Sequence, residues 1–291
     1  MYKEKIVSYL NRHYIISILL YFLFFDVFYI LLTFVVYNVL NTYVSSSKLF
    51  LAIAYSFLDL FFAYIILLVA HKIHNICLGF KKDSLFKGVF ITGAITIILA
   101  MCNVAFTLIT PHDRLSDVWL LNLVVYTIMV FATAFYEEIL FRGLLLNLCI
   151  NKSNGKKNNI SLAVVMVSVI FSLSHFSSLF DGGLSIGFFI QLPHAFCTSL
   201  FFSAIYLKYN NIWIPIILHT INNEVTYVSK IFFIEENVVA NTSSMNNSGY
   251  YALFAIVNAC IFTLPYFIAG VYILKKINKK NVNHVICDNS K

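Results

Sequence analysis

The chain has 291 residues, of which 60% are hydrophobic, 17% aromatic and only 11% charged. A soluble domain has about 25% charged residues, so this composition excludes an ordinary soluble protein and indicates a polytopic helical membrane protein. The formal net charge of +7 comes from basic residues on separate loops rather than on one stripe, so we expect no nucleic-acid partner.

Eight apolar stretches are long enough to cross a hydrocarbon core, which needs about 20 residues in a helix. Their approximate limits are 14–40, 49–70, 88–110, 117–149, 160–179, 185–207, 212–234 and 250–274. The sequence therefore predicts an all-α fold with about eight transmembrane helices, forming a single integral membrane domain over residues 1–291.

The distribution of basic residues predicts the orientation, because cytoplasmic loops collect Lys and Arg. With both termini inside, 16 of the 20 Lys and Arg residues fall on the inner side. Only Lys48 and Arg114 then lie outside, while Arg142 and Lys230 lie within spans. We therefore predict an N-in, C-in topology.

Ionisable and amide side chains are distributed unevenly over the spans. Asp26 and Asp59 are the deep charges of the first three spans, and we expect them to face the interior of the bundle. Spans four to seven are richer in polar groups, namely Glu137, Glu138, Arg142, His175, His194, His219, Asn222, Asn223 and Glu224. We predict that residues 117–234 form the catalytic core and that the other spans serve packing and lipid contact.

The fourth span carries Tyr-Glu-Glu-Ile-Leu-Phe-Arg-Gly at residues 136–143. A charged residue near the bilayer centre costs roughly 2.5 to 3.5 kcal/mol, so three together indicate partners and a function. Glu138 and Arg142 are spaced i, i+4 and lie on one helix face, whereas Glu137 is turned by about 100° from Glu138. We predict that Arg142 pairs with Glu138 and that Glu137 projects towards a reaction centre.

Two further spans place polar groups at the same helical spacing. His175 follows Phe171 by four residues, and Asn223 follows His219 by four. At 1.5 Å per residue, the depths of Glu137, His175 and Asn223 agree to within about 5 Å, and that of His219 is about 10 Å from the inner face. These four side chains are therefore predicted to form one site, with His194 as a further candidate.

In that order, the motifs Glu-Glu-x-x-x-Arg, Phe-x-x-x-His and His-x-x-x-Asn resemble those of the CAAX-protease and bacteriocin-processing (CPBP/Abi) family of intramembrane endopeptidases, of the Ras-converting-enzyme type. The resemblance covers about residues 117–234. It implies hydrolysis of a peptide bond near the C-terminus, or in the membrane-proximal part, of a hydrophobic or lipidated peptide or protein.

The resemblance also implies roles for the site residues. Water is activated by Glu137 and His175, and the oxyanion is stabilised by His219 and Asn223, with Glu138 and Arg142 in support. This chemistry needs no cofactor, since an imidazole N–H and an Asn amide are competent oxyanion donors. A metal-dependent alternative stays open, because one carboxylate and two imidazoles, Glu137, His175 and His219, form a set that zinc accepts. The absence of a His-Glu-x-x-His motif favours the mechanism that needs no metal ion.

Two other classes of function remain as alternatives. One is a noncatalytic protein of the same fold that confers bacteriocin self-immunity or binds a peptide. The other is a proton-coupled transporter, which predicts repeated halves and interrupted helices that the sequence does not display. A composition rich in Asn, Lys, Ile and Phe suggests a low-GC bacterium, hence a bacterial cell membrane. The six cysteines show no Cys-x-x-Cys spacing, which argues against a disulfide framework.

Overall fold

The computed structural model describes residues 13–43, 48–109, 114–152, 157–177, 185–233 and 248–277. Within these ranges every predicted apolar stretch is helical, and β pairing is confined to isolated bridges, such as that between Leu115 and Phe233. The predicted all-α membrane fold is confirmed.

The described residues form eight helical rods in chain order. α1 comprises Tyr14–Phe22, Leu23–Val27 and Phe28–Tyr43; α2 is Lys48–Lys72; α3 comprises Lys87–Thr92 and Ala94–Ile109; α4 comprises Trp119–Glu138, Ile139–Leu146 and Asn147–Lys152. α5 is Lys157–Ser174, which continues into a 3₁₀ turn at His175–Ser177; α6 is Ile186–Tyr209; α7 comprises Trp213–Glu224, Val225–Tyr227 and Val228–Phe232; α8 is Ser248–Lys276.

Five of these rods contain helices that are long and apolar enough to cross a membrane. They are Tyr14–Val39, Phe50–Lys72, Trp119–Asn151, Ile186–Tyr209 and Ile256–Lys276. Ala94–Ile109 and Asn158–Ser174 are apolar but shorter. The protein is therefore polytopic, while the number of eight spans and the N-in, C-in orientation stay predictions.

The core of the bundle lies along α4. This helix packs against α2 and α7, and α6 packs against both α5 and α8. All eight residues of the segment Ile139–Leu146 are buried. The segment that carries Arg142 is thus enclosed by protein rather than exposed to lipid.

The two deep aspartates of the first spans face the bundle interior, as expected. Asp59 is fully buried and accepts hydrogen bonds from Tyr29 (2.5 Å) and from Thr133 of α4 (2.7 Å). Asp26 is 6% exposed. The side chain of Asp59 therefore ties α1 and α2 to the helix that carries Glu137.

A tight turn between α6 and α7 docks on the loop that follows α2. Asn210 has the left-handed φ of 46° that ends a helix, and Gly79 opposite has φ 68°. The amide N–H of Ile212 donates to the carbonyl of Gly79 (3.3 Å), and Asn211 donates to that of Lys81 (2.8 Å). These contacts fix the start of α7, which carries His219.

Gly79→Ala tests this docking. A Cβ atom at Gly79 would lie 2.1 Å from the carbonyl oxygen of Asn210, and the positive φ disfavours any side chain. We expect Gly79→Ala to lower the free energy of unfolding by more than about 1 kcal/mol. The measurement is the thermal unfolding midpoint in detergent, which should fall. Gly187→Ala is the control, because a Cβ atom at Gly187 would lie 3.6 Å from Ser185 Oγ, an ordinary van der Waals distance. Equal midpoints for the two variants would contradict the close approach.

One cysteine departs from the expectation drawn from sequence. Cys77, in the loop after α2, is disulfide-bonded. Among the described residues Cys102, Cys149, Cys197 and Cys260 are free, and Cys149 and Cys197 are buried. The absence of a Cys-x-x-Cys motif therefore did not exclude a disulfide.

Candidate active site

The predicted ion pair between Glu138 and Arg142 is present at the centre of the bundle. Arg142 Nη1 donates to Glu138 Oε1 at 2.8 Å, and both side chains have zero exposure. Arg142 lies in the π-helical segment Ile139–Leu146, which begins directly after Glu138. Wide turns of this kind are frequent at functional sites because they re-aim side chains within a helix.

Neighbouring helices complete the surroundings of the Arg142 guanidinium. Nη2 donates to the carbonyl of Ser199 on α6 at 3.1 Å. The guanidinium carbon lies 4.9 Å from the ring centre of Phe171 and 5.8 Å from that of Phe202. Aromatic faces attract a cation most strongly where water is excluded, so α5 and α6 both stabilise the buried charge.

His219 lies between the two glutamates of α4. Its Nδ1 is 2.8 Å from Glu138 Oε1, and its Nε2 is 3.4 Å from Glu137 Oε2. The His219 side chain is 6% exposed and that of Glu137 is 20% exposed. Although Glu137 and Glu138 point in different directions on the helix, they reach opposite nitrogens of one imidazole.

The two contacts of His219 differ in kind. A carboxylate accepts hydrogen bonds, so the short contact with Glu138 makes Nδ1 the donor when Glu138 is ionised. The distance from Nε2 to Glu137 exceeds the usual 2.7 to 3.2 Å of a hydrogen bond, and Glu137 Oε2 is a buried oxygen that makes no hydrogen bond. Nε2 is therefore the less constrained of the two nitrogens of the His219 imidazole.

His175 joins the cluster through Phe171. Its Nδ1 lies 2.9 Å from the carbonyl oxygen of Phe171, one turn earlier on α5. The Phe171 ring packs against both imidazoles, with centroid distances of 4.9 Å to His175 and 5.9 Å to His219. Phe171 thus positions the two histidines as well as covering Arg142.

A cavity of about 350 Å³ adjoins this cluster. His175, His219 and Asn223 line it, together with His194, whereas Glu137 contacts His219 instead. The other lining residues are Leu99, Ala100, Asn103, Phe171, Gln191, Ala195, Thr198, Asn222, Val225, Thr226, Phe262 and Tyr266. The structure therefore brings three of the four predicted catalytic residues to one cavity wall and places the fourth in contact with one of them.

The cavity wall includes residues from outside the predicted catalytic core, residues 117–234. Leu99, Ala100 and Asn103 belong to α3, and Phe262 and Tyr266 belong to α8. A sequence pattern within one helix does not reveal which other helices are its neighbours, so these contributions were not expected. The extent of the catalytic core stays a prediction.

Sequence reasoning also left out a polar connection that runs from α8 to α7. The hydroxyl of Tyr266 donates to Asn222 Oδ1 at 3.0 Å, and Asn222 Nδ2 lies 3.4 Å from Asn223 Oδ1. No motif signals Tyr266, which is one of 18 tyrosines. Its near-complete burial, at 1% exposure, emerges only from the packing of α8.

The zinc alternative can be compared with the geometry of its three proposed ligands. A separation of 3.4 Å between Glu137 and His219 suits two ligands of one tetrahedral ion, whose bonds are about 2.0 to 2.2 Å. Within the described residues, however, no three His, Cys, Asp or Glu side chains are grouped so that they could hold one metal ion. The present arrangement of Glu137, His175 and His219 therefore does not fit a three-ligand zinc site.

Comparison with known proteins supports the resemblance read from the motifs. The family model for type II CAAX prenyl endopeptidase Rce1-like proteins matches residues 119–225. No curated protein and no solved structure matches the chain. The matched segment runs from the start of α4 to the end of the helix that carries His219 and Asn223. The resemblance is thereby confirmed, and at the level of the family it supports a CAAX-type intramembrane protease in an integral membrane protein.

Arg142→Met tests the buried ion pair. The substitution leaves the carboxylate of Glu138 buried without its cation, which typically costs about 3 to 5 kcal/mol. We expect a large fall in the unfolding midpoint in detergent. Arg114→Met is the matched control, because Arg114 pairs with Asp117 on an exposed surface (3.1 Å, side chains 67% and 77% exposed), where a pair contributes less than about 1 kcal/mol. Similar midpoints would contradict a structural role of the buried pair.

Proposed function

We propose that the protein is an intramembrane endopeptidase that hydrolyses a peptide bond of a hydrophobic or lipidated peptide within the cavity. Glu137 and His175 activate a water molecule, and His219 and Asn223 donate hydrogen bonds to the oxyanion. Glu138 and Arg142 hold His219 in place. The observation that carries this proposal is that His175, His219 and Asn223 line one cavity while Glu137 contacts His219.

The contacts of His219 support its proposed role as an oxyanion donor. Glu138 orients the ring through Nδ1 (2.8 Å), so Nε2 is the nitrogen that remains for a reacting oxygen. An imidazole that donates through Nδ1 can donate through Nε2 only when both nitrogens carry protons.

The cavity lining is suited to an uncharged peptide. Apart from its histidines, the part of the wall formed by the described residues consists of amide, hydroxyl, aromatic and aliphatic side chains, without Lys, Arg, Asp or Glu. Amides and hydroxyls can hydrogen-bond a peptide backbone, whereas a charged substrate side chain would lose its hydration without gaining an ionic partner. We therefore expect uncharged residues on both sides of the cleaved bond.

We propose further that the protein acts in a bacterial cell membrane and that its substrate is a peptide pheromone or bacteriocin precursor, or a lipidated protein tail. A composition rich in Asn, Lys, Ile and Phe suggests the bacterial origin. Two reporter peptides separate the substrate classes. One ends in farnesyl-cysteine followed by three aliphatic residues, and the other has the same sequence without the lipid.

Glu137→Gln tests the reaction. An amide cannot accept the proton of the attacking water, so we expect cleavage of the reporter peptides by the purified protein in detergent to fall by about 10² to 10⁴. Mass spectrometry of the products identifies the cleaved bond. Glu224→Gln is the control, because Glu224 hydrogen-bonds to Thr127 (2.8 Å) and does not line the cavity.

Two outcomes of this experiment would contradict the proposal. If wild type and Glu137→Gln cleave both peptides equally, Glu137 does not take part in the reaction. If neither cleaves, and peptides secreted by cells that express the two forms are identical, the protein is not a protease of such peptides. Specific binding of the unhydrolysed peptide would then favour a noncatalytic immunity protein.

We propose that the reaction is metal-free, and metal content tests this directly. The purified protein is expected to contain far less than one zinc ion per chain and to retain its activity after treatment with EDTA. Stoichiometric zinc that is lost in His175→Ala, together with inactivation by EDTA and recovery on adding zinc, would establish the metal-dependent alternative instead.

A further inference from the structure

We propose that Tyr266 of α8 is a positioning residue that sets the orientation of the Asn223 amide through Asn222. The inference rests on the proposed role of Asn223 as an oxyanion donor. Tyr266 lies outside the segment matched by the family model, which ends at residue 225.

One hydrogen bond and one longer polar contact lead from α8 to the cavity. The Tyr266 hydroxyl donates to Asn222 Oδ1 (3.0 Å), which leaves the NH₂ group of Asn222 on the other side of the amide. That NH₂ group lies 3.4 Å from Asn223 Oδ1. With its oxygen facing Asn222, Asn223 presents its own NH₂ group as the donor on the cavity wall.

This orientation matters because the two ends of an Asn amide have opposite polarity. An NH₂ group stabilises an oxyanion, whereas the carbonyl oxygen would repel it. Removal of one oxyanion donor costs about 10² to 10³ in rate. The side chain of Asn222 alone could rotate by 180° and exchange its donor and acceptor, whereas the hydrogen bond donated by Tyr266 stabilises the orientation with Oδ1 towards α8.

The position of Tyr266 is fixed by close packing of α8 against α6. Its ring packs against Phe201 (5.4 Å) and His194 (5.8 Å). One turn further on, Gly270 allows a close approach, because a Cβ atom there would lie 2.3 Å from Leu200 Cδ2 and 3.1 Å from the backbone of Phe201. The hydroxyl is therefore held at a defined distance from α7.

Tyr266→Phe removes only the hydroxyl and is the variant that tests this inference. Loss of a single hydrogen bond predicts a fall in kcat of about three- to tenfold. KM is expected to stay unchanged, because the oxyanion exists only in the transition state and the intermediate. Tyr272→Phe is the control, because Tyr272 lies on the same helix and is 58% exposed. We expect this substitution to leave kcat unchanged.

A double-mutant cycle and a spectroscopic measurement separate this inference from the proposed function. When Tyr266→Phe is added to Asn223→Ala, we expect little further effect on kcat, because the Asn223 amide that Tyr266 positions is already absent. If Asn223→Ala itself retains full activity, the proposed role of Asn223 is wrong. If Asn223→Ala is impaired and Tyr266→Phe is not, only the positioning role is wrong.

The measurement that does not depend on cleavage is the side-chain NH₂ resonance of Asn223 in protein labelled with ¹⁵N-asparagine, assigned by its absence in Asn223→Asp. We expect this resonance to shift in Tyr266→Phe and to stay in place in Tyr272→Phe. An unchanged resonance in Tyr266→Phe would overturn the inference whether or not any peptide is cleaved.

Discussion

The structure depends on one carboxylate oxygen, Glu138 Oε1, which accepts from both Arg142 and His219 at 2.8 Å. Because Glu138 and Arg142 are completely enclosed, neither charge can be solvated if its partner is displaced. Arg142 extends the connection to α6 through the carbonyl of Ser199 and to α5 through the ring of Phe171. Four helices are therefore held in register around one buried charge pair.

This constraint also determines what His219 can do. Its Nδ1 is engaged by the buried carboxylate, so the imidazole cannot rotate without breaking a short hydrogen bond. Nε2 is left facing Glu137 at 3.4 Å, beside the cavity. Glu138 is thus held by Arg142 and His219, whereas Glu137 lies at the longer distance from Nε2, in keeping with the 100° turn between neighbouring helical residues.

The parts of the site that the sequence predicted are those governed by the geometry of a single helix. The pairing of Glu138 with Arg142 follows from their i, i+4 spacing, and the interior position of Asp59 follows from the cost of charge in lipid. The contact between Glu137 and His219, and the approach of Tyr266 to Asn222, depend on how separate helices are rotated against each other. Spacing along the chain contains no such information, so the contributions of α3 and α8 could not be read from it.

In the proposed protease, the reacting groups and part of the wall of the substrate cavity belong to different helices. Glu137, Glu138, His175, His219 and Asn223 lie on α4, on α7 and at the end of α5, within the matched segment 119–225. Part of the cavity wall comes from outside that segment, from α3 and α8. Because hydrolysis requires only that the reacting groups keep their mutual geometry, substitutions such as those at Leu99, Asn103 or Phe262 can alter the shape offered to a peptide without moving the charged cluster. In the proposed protease, α3 and α8 then contribute to substrate selection without carrying a reacting group.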